Sequence, residues 1–289
     1  MDYGRPIQFG NFLIPDATRP LRPVEQAVRA DALGIDLIGI QDHPYQWRFH
    51  DTWTLLTAIA MRTERVTVFP DVANLPLRPP AVLAKAAASL DLLSGGRVEL
   101  GLGAGGFWEA IKAMGGPLRT PGESVKALEE AIEVIRLVWS GKRGLRYDGR
   151  FYQLAGLNAG PAPSRSIGIW LGAYKPRMLA LIGRSADGWV PSLGPLKLEE
   201  MAEASARIDD AARAAGRDPT SIRRLLNVGA NLSAEQFAEL ALEYGFDTFV
   251  VGGWPDESDG LQRFLEDVAP RARELVAAGR DRGPRELKA

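Results

Sequence analysis

The sequence predicts a single (β/α)8 barrel, and three observations lead to that fold class. Short β-rich runs alternate with amphipathic helical patterns along all 289 residues, which makes eight β/α units of about 36 residues each. Parallel strands need helical crossovers, and eight such units in a chain of this length suit a closed barrel. The alternation is interrupted only at 141–166, where Gly and Pro accumulate. Two doubly wound halves are the alternative, and that segment would have to be their boundary.

The eight strands are predicted from runs rich in Val, Ile, Leu and aromatic residues, bounded by Gly, Pro or Asp. They cover 6–15, 35–44, 65–75, 97–103, 167–173, 187–193, 222–231 and 247–253. The helices that follow them cover 24–34, 51–63, 80–93, 121–139, 176–184, 197–215, 233–245 and 260–278.

Several element ends carry recognisable signals. Asp51 is the predicted N-cap of the second helix, and Gly95 follows the end of the third, where a left-handed residue is favoured. The fourth helix has one apolar stripe with spacings of 3, 4, 3 and 4, made of Val125, Leu128, Ile132, Ile135 and Trp139. The segment 141–166, with a hairpin-like stretch at 146–154, is too short to hold its own core. We therefore expect one domain over 1–289 with an insertion after the fourth unit.

Composition excludes several functional classes. The chain has 35 basic and 36 acidic residues, so no nucleic-acid partner is indicated. It has no Cys and only two His, which argues against disulfides, transition-metal sites and Cys nucleophiles. Neither the hydrolase G-x-S-x-G elbow nor the nucleotide-binding P-loop occurs. No signal peptide or long apolar run is found, so a soluble, cytoplasmic protein without a membrane partner is expected.

The stretch LDLLSGGRVELGLGAGG (90–106) ends in a match to the dinucleotide-binding pattern G-x-G-x-x-G. In a Rossmann fold this pattern follows the first strand and opens a helix at once, with an acidic residue ending a second strand about 20 positions later. Here it follows the fourth strand, and Glu123, the acidic residue at that distance, lies at a helix start. A glycine loop at the carboxyl end of a barrel strand is favoured instead. Without Cβ atoms, Gly103 and Gly105 would let a flat ligand lie against the backbone.

Four motifs together resemble the bacterial-luciferase-like superfamily of flavin- and deazaflavin-dependent oxidoreductases. They are AKAAASLDLLSGGRVELGLGAGG (84–106), DHP (42–44), NLPLRPP (74–80) and IWLGAYKPRMLALIGRSADGW (169–189), in the family's order over nearly the whole chain. The resemblance implies a (β/α)8 barrel with an insertion after the fourth unit. It also implies a non-covalent cofactor, either FMN or the 8-hydroxy-5-deazaflavin coenzyme F420.

The end of the second strand carries the predicted catalytic residues. By resemblance to the deazaflavin-dependent sugar-phosphate dehydrogenases, Asp42 binds cofactor, His43 is the acid/base and Trp47 joins them. His is also the side chain best suited to proton transfer near neutral pH. The open alternative makes Asp42 a turn cap and His43 an ordinary loop residue. Those dehydrogenases have a catalytic Glu where this chain has Gly106. Glu109, three residues later, is the predicted substitute and would have to reach back. Because of this departure, a sugar-phosphate substrate is in doubt.

Three loops are predicted to hold the cofactor: the glycine loop after the fourth strand and two further segments. By resemblance, the segment after the third strand forms a bulge with a non-prolyl cis peptide, placed within 71–74, whereas an ordinary Asn-containing turn is the alternative. The helix that begins near Pro176 offers free N–H groups and a dipole to an anion, and resemblance assigns the cofactor phosphate to it. A capped surface helix with solvated basic residues is the alternative there. The predicted cofactor-binding residues in these loops are Ala73, Asn74, Pro76, Ala104, Gly105, Gly172, Ala173, Lys175, Arg177 and Met178.

The functional expectation is an F420-dependent oxidoreductase that transfers a hydride between the deazaflavin and a small organic substrate. An FMN-dependent monooxygenase that uses O2 is the first alternative, and a non-catalytic flavin-binding relative is the second. A homodimer is one expectation, since dimers are common in the family. Aromatic residues at strand ends suggest an apolar pocket near the mouth, or else ordinary packing: Phe9, Phe12, Trp47, Phe49, Phe107 and Trp108.

Overall fold

The computed structural model describes residues 1–254 and 259–282, and its main feature is a nine-stranded parallel sheet. The strands are β1 (Gln8–Leu13), β2 (Leu37–Ile40), β3 (Thr67–Pro70), β4 (Ala73–Asn74), β5 (Leu100–Gly103), β8 (Ile169–Leu171), β9 (Gly188–Trp189), β10 (Arg223–Gly229) and β11 (Thr248–Gly252). Their order is β3-β2-β1-β11-β10-β9-β8-β5-β4. A separate antiparallel hairpin pairs β6 (Leu145–Asp148) with β7 (Gln153–Leu157).

The sheet curls until its two ends meet. Val68 in β3 donates its backbone N–H to Arg97 at 2.9 Å and accepts from Glu99 at 3.2 Å, just before β5. β4 pairs with β5 beyond that point, so β3 and β4 are two halves of the third barrel strand. The peptide bond between Asp71 and Val72, in the break between them, is cis. The predicted barrel and the predicted non-prolyl cis peptide are both confirmed, and the third strand is two short pieces instead of one run.

Helices cover the outside of the barrel. They are α1 (Arg22–Leu33), α2 (Thr52–Ala60), α3 (Pro80–Ser94), α4 (Trp108–Ala113), α5 (Pro121–Trp139), α6 (Pro176–Ser185), α7 (Leu198–Ala214), α8 (Ala234–Leu242), α9 (Gly260–Arg263) and α10 (Ala269–Arg282). A π-helical turn over Phe264–Val268 joins the last two, and 3-10 turns occupy Leu75–Leu77 and Pro219–Ser221. The short helix α4, in the glycine loop after β5, was not predicted.

Helix ends follow local chemistry. Asp51 accepts a hydrogen bond from the Thr54 N–H at 3.0 Å, which confirms the predicted N-cap. α3 ends at Gly95 with φ of +70°, as a glycine C-cap should. α5 begins with a capping box in which Thr120 and Glu123 bond to each other's backbone N–H groups.

The insertion at 141–166 is a small hairpin fastened to α5. The Glu130 carboxylate accepts from the N–H groups of Arg150 and Phe151, and the Tyr147 hydroxyl donates to Glu133 at 2.7 Å. It therefore adds to the outside of the barrel.

The barrel interior is filled with side chains from its strands. This inner cluster consists of Leu37, Phe69, Trp170, Val190, Leu225 and Val250, all almost fully buried. The larger apolar layer lies between the strands and the helices. Because the interior is packed, a ligand can be received only at an end of the barrel.

Candidate active site

A cavity of about 540 Å³ opens at the carboxyl ends of the barrel strands. It brings together seven of the predicted site residues: Asp42, His43, Ala73, Asn74, Ala104, Gly105 and Gly172. Phe12 and Phe107, two of the predicted pocket aromatics, also line it, whereas Phe9, Phe49, Trp47 and Trp108 do not. Phe9 is fully buried against Phe237 in the core.

Asp42 lies at the wall of the cavity and is held by an arginine that sequence reasoning missed. Its carboxylate accepts from Arg78 Nε at 2.6 Å and from a terminal guanidinium nitrogen at 2.7 Å. It also accepts from the Asn74 backbone N–H at 2.9 Å. Arg78 reaches Asp51 as well, at 2.6 Å. Asp42 therefore links the ends of the second and third strands, a more extensive role than the turn cap of the alternative interpretation.

His43 lines the cavity between two aromatic rings. Its imidazole stacks on Tyr45, with centroids 5.5 Å apart, and meets the edge of Phe107 at 5.4 Å. Burial lowers the pKa of His43, and the charge of Asp42 opposes this shift only in part. The imidazole is thus neutral at pH 7 and able to accept a proton. The pKa of the neighbouring Tyr45 is raised to about 12 by burial and by Asp42, so its hydroxyl stays protonated.

Gly103 and Gly105 in the loop after β5 are also required by the protein's own packing, a reason that the sequence did not indicate. A Cβ on Gly103 would lie 2.8 Å from a Val72 methyl carbon. Gly105 has φ of +96°, and a Cβ there would lie 2.7 Å from Pro76 Cγ. Both glycines do line the cavity, but Pro76 supports Gly105 from behind and does not line it. Of Gly103, Gly105 and Gly106, only Gly106 has no atom within 4 Å of an added Cβ.

A buried polar group on the same cavity was missed by sequence reasoning. Asp71 is 8% exposed, and its Oδ1 accepts from Asn227 Nδ2 at 3.2 Å. Asn227 Nδ2 also lies 3.4 Å from Ser192 Oγ. Asp71 Oδ2 has no hydrogen-bond partner, and burial raises the pKa of Asp71 to about 7. An Asp in a turn-like PDVAN segment gives no sequence signal of this, because the burial depends on a strand more than 150 residues away.

Two of the predicted catalytic residues are not in the cavity. Trp47 is 86% exposed, because the chain turns outward after His43 and places the indole beside Arg48. Glu109 is exposed on α4, which begins with Trp108, and does not line the cavity. These two residues therefore do not line the cavity in this structure, and their catalytic role stays a prediction.

The start of α6 lies at the rim of the barrel mouth instead of inside the cavity. Lys175 is the exposed N-cap residue and makes no side-chain capping bond, and Arg177 is exposed two residues later in the first turn. Met178 is half-buried, and Ala173 is buried with its carbonyl accepting from Trp189 Nε1 at 2.9 Å. None of these four lines the cavity, although Gly172, just before them, does.

None of the helices in the part of the chain that the structure describes combines the length and the apolar character that a membrane crossing needs.

Known proteins match both the sequence and the fold. Residues 4–244 match the luciferase-like monooxygenase family. The F420-dependent glucose-6-phosphate dehydrogenase of Kribbella flavida is 32% identical over 229 residues, covering 76% of this chain and 67% of the relative. The enzyme of the same name from Mycolicibacterium fortuitum is 32% identical over 243 residues, covering 78% and 68%.

Two solved structures share the architecture. An F420-dependent secondary alcohol dehydrogenase in complex with an F420–acetone adduct has a TM-score of 0.83 at 19% identity, covering 93% of this chain and 99% of the other. The coenzyme F420-dependent tetrahydromethanopterin reductase of Methanopyrus kandleri has a TM-score of 0.78 at 20% identity, covering 92% and 99%. These two likenesses confirm the barrel. With the family match and the close relatives, they establish that the chain belongs to the luciferase-like monooxygenase family, as its motifs predicted.

Proposed function

We propose that this protein is an F420-dependent oxidoreductase that interconverts a small alcohol and the corresponding carbonyl compound. The observation that carries the proposal is His43, a neutral imidazole on the wall of a cavity lined by glycine loops at the barrel mouth. Relatives that are 32% identical to this chain are named as F420-dependent dehydrogenases, which supports the choice of cofactor.

The residues of the cavity fit a flat, hydrogen-bonding ring. The glycine loop and Val72 supply an uncharged surface, and the volume of about 540 Å³ is in the usual range for a ligand site. Two acceptor oxygens of lining residues are buried without partners: Asn74 Oδ1 and Asn227 Oδ1. A deazaflavin has ring N–H and hydroxyl donors of the kind that such oxygens require.

The cofactor phosphate would be held at the rim. α6 presents its free first-turn N–H groups and the positive end of its dipole there, and Lys175 and Arg177 add positive charge. Asp42 acts indirectly in this proposal. Its oxygens are committed to Arg78 and to the Asn74 N–H, so it fixes the Asn74 loop against which the ring would lie.

The chemistry divides between the cofactor and the chain. When bound, the deazaflavin supplies a ring carbon that takes up or returns a hydride. His43 handles the proton: its imidazole accepts the hydroxyl proton of an alcohol during oxidation and returns it to the carbonyl oxygen during reduction. Tyr45 and Phe107 hold the imidazole plane and keep water from part of it.

The cavity favours an uncharged substrate. None of the described residues that line it is Lys or Arg, and Arg78 is committed to two carboxylates behind the wall. A phosphorylated sugar would find no cation within the cavity to pair with its phosphate. We therefore propose a small neutral alcohol or ketone, in contrast to the substrate named for the relatives.

The test is a parallel titration of the purified protein with F420 and with FMN, following quenching of Trp fluorescence, and then turnover. We expect micromolar or tighter binding of F420, and F420 reduction with secondary alcohols that exceeds the rate with glucose 6-phosphate. Tight binding of FMN alone, followed by O2 consumption, would transfer the assignment to the monooxygenases. Binding of neither cofactor would remove the proposed site. Faster turnover with glucose 6-phosphate would contradict the substrate class.

A further inference from the structure

Asp71 is the most unusual titratable group on the cavity, and the proposed chemistry above does not use it. It precedes the cis peptide in the break between β3 and β4, with its carboxylate pointing into the barrel. A Cβ on Gly39 of β2 would lie 3.1 Å from Asp71 Oδ2, so this buried oxygen lies against the Gly39 backbone. Within residues 1–254 and 259–282, the Asn227 amide donates the one hydrogen bond that this carboxylate accepts.

No positive charge in the described part of the chain compensates Asp71. The other titratable side chains that line the cavity are Asp42, His43, Tyr45 and Tyr174. Asp42 is paired with Arg78, and burial keeps His43 neutral. An ionised carboxylate held in this position would carry a buried, unpaired charge, which proteins avoid by keeping the group protonated. The direction of its pKa shift, with burial as the largest cause, agrees with this geometry.

Asp71 is connected to the interior of the cavity through Asn227 and Ser192. Asn227 Nδ2 donates toward both Asp71 Oδ1 and Ser192 Oγ, so the Ser192 hydroxyl hydrogen is free to point into the cavity. The backbone N–H of Ser192 is already committed to the Tyr174 hydroxyl at 3.0 Å. Ser192 therefore offers a hydrogen-bond donor to an electron-rich atom of a bound ligand.

We propose that Asp71 is a proton-holding positioning residue: its protonated form keeps the cavity floor of Asp71, Asn227 and Ser192 uncharged, and ligand binding is coupled to that proton. Ionisation of Asp71 at higher pH places a negative charge beneath the electron-rich ring or carbonyl and weakens its binding. The proposal rests on the proposed function in one respect, namely that F420 is the ligand used to observe the coupling.

The sign of the effect can be worked out. In the unfolded chain an Asp loses its proton near pH 4, whereas Asp71 in the folded protein loses it at about 7. Between these values the folded state holds a proton that the unfolded state has lost, so stability falls as pH rises through this window. If the ligand requires the proton, its Kd rises above pH 7 by up to about tenfold per pH unit.

The experiment compares wild type with Asp71→Asn in two ways. The first is the pH dependence of the F420 Kd between pH 6 and 9, with proton uptake measured by calorimetry in buffers of different ionisation enthalpy. Protons gained or lost by F420 itself are common to both proteins, so the difference between them reports on Asp71. We expect wild type to take up nearly one additional proton per F420 at pH 8. The second is urea unfolding of the cofactor-free proteins at pH 5.5 and 8.5, where the variant should lose less stability on going to the higher pH.

Glu99 provides a matched control. It is a second buried carboxyl whose pKa is raised by burial, but it lies at the opposite end of the barrel, 2.9 Å from Arg165. Glu99→Gln should change the pH dependence of unfolding and leave that of F420 binding as in wild type. If Asp71→Asn does not fold, Asn227→Ala is the substitute. It removes the bond that favours ionised Asp71, so the pH midpoint of F420 binding should move upward.

Identical pH profiles of wild type and Asp71→Asn in both measurements would overturn the proposal, as would an unmoved midpoint in Asn227→Ala. A difference in unfolding without one in binding would overturn the coupling. If no protein binds F420 at any pH, the proposed function and the coupling fail together. The unfolding comparison then still decides whether Asp71 holds a proton.

Discussion

Burial moves the pKa values of two cavity side chains in opposite directions. It lowers that of His43 and raises that of Asp71 to about 7. Each shift favours the neutral form, and the result is a base and an acid on one cavity at the same pH. Of the two, only His43 could be proposed from the sequence, because it follows a strand in a recognisable motif. The hydrogen bonding of Asp71 depends on Asn227 of a distant strand, and no local sequence pattern indicates that contact.

Replacing His43 should separate catalysis from cofactor binding. We expect His43→Gln to lower turnover by about 10²–10⁴-fold, the usual contribution of a general base, and to leave the F420 Kd nearly unchanged. In wild type, alcohol oxidation should decrease as the pH falls through the lowered pKa of His43, because imidazolium cannot accept a proton. Stability linked to His43 should likewise be lost below about pH 6.5, where the unfolded chain takes up a proton first.

The chain contains a matched control for this experiment. His50, the only other His, bonds through Nε2 to the Pro20 carbonyl at 3.1 Å and does not line the cavity. His50→Gln should retain turnover and its pH profile. Equal losses in both variants, measured by steady-state F420 reduction, would show that His43 has no special role.

The Asp42–Arg78 pair should be important for stability. Arg78→Ala leaves the Asp42 carboxylate, whose side chain is 0% exposed, without its counter-ion. Removing one partner of a buried pair typically costs about 3–5 kcal/mol. Urea unfolding should show this loss, while Arg150→Ala, which breaks an exposed pair with Glu123, should cost under about 1 kcal/mol. A comparable small loss in both variants would mean that water replaces Arg78.

At the scale of elements, most strands and helices could be predicted because period-2 and period-3.6 patterns report burial on one face. Asp51 and Gly95 also marked their helix ends correctly. The broken third strand and α4 could not be predicted in this way. β4 has only two residues, too few for a periodic pattern, and five of the six side chains of α4 are at least partly exposed. Both features lie beside the cavity, and both are set by packing between loops.

Gly101 in β5 shows how closely the broken strand is packed against its neighbour. A Cβ at Gly101 would lie 2.1 Å from the Pro70 carbonyl oxygen, at the end of β3. Since backbone on both sides must move, Gly101→Ala should lower the free energy of unfolding by about 1–3 kcal/mol or more.

Gly106→Ala is the control for this measurement, because an added Cβ there meets no atom within 4 Å. Denaturant unfolding of the two variants should differ clearly. Equal stability of the two variants would show that β3 and β5 can separate without cost, contrary to the close contact between Gly101 and the Pro70 carbonyl.

At the scale of the whole molecule, the alternation of eight β/α units was sufficient to predict the barrel, and the four motifs were sufficient to predict the family. Residues 42, 43, 73, 74, 104, 105 and 172 were placed at the mouth correctly, because the carboxyl ends of parallel strands meet at one end of a barrel. Trp47 and Glu109, which were predicted from the family resemblance, do not line the cavity. They follow strand ends too, but the direction of a loop after it leaves the strand is set by what it packs against.

The sequence by itself determined the class of fold, the order of its elements, the family and the strand ends that form the cavity. These follow from periodicity and short motifs, which are local properties of the chain. Only the tertiary structure decided which polar groups are buried together. Arg78 with Asp42, and Asp71 with Asn227 and Ser192, meet across strands that are distant in sequence. Desolvation and hydrogen bonding act over a few ångströms in space, so the proton chemistry of the site depends on contacts that only the closed barrel creates.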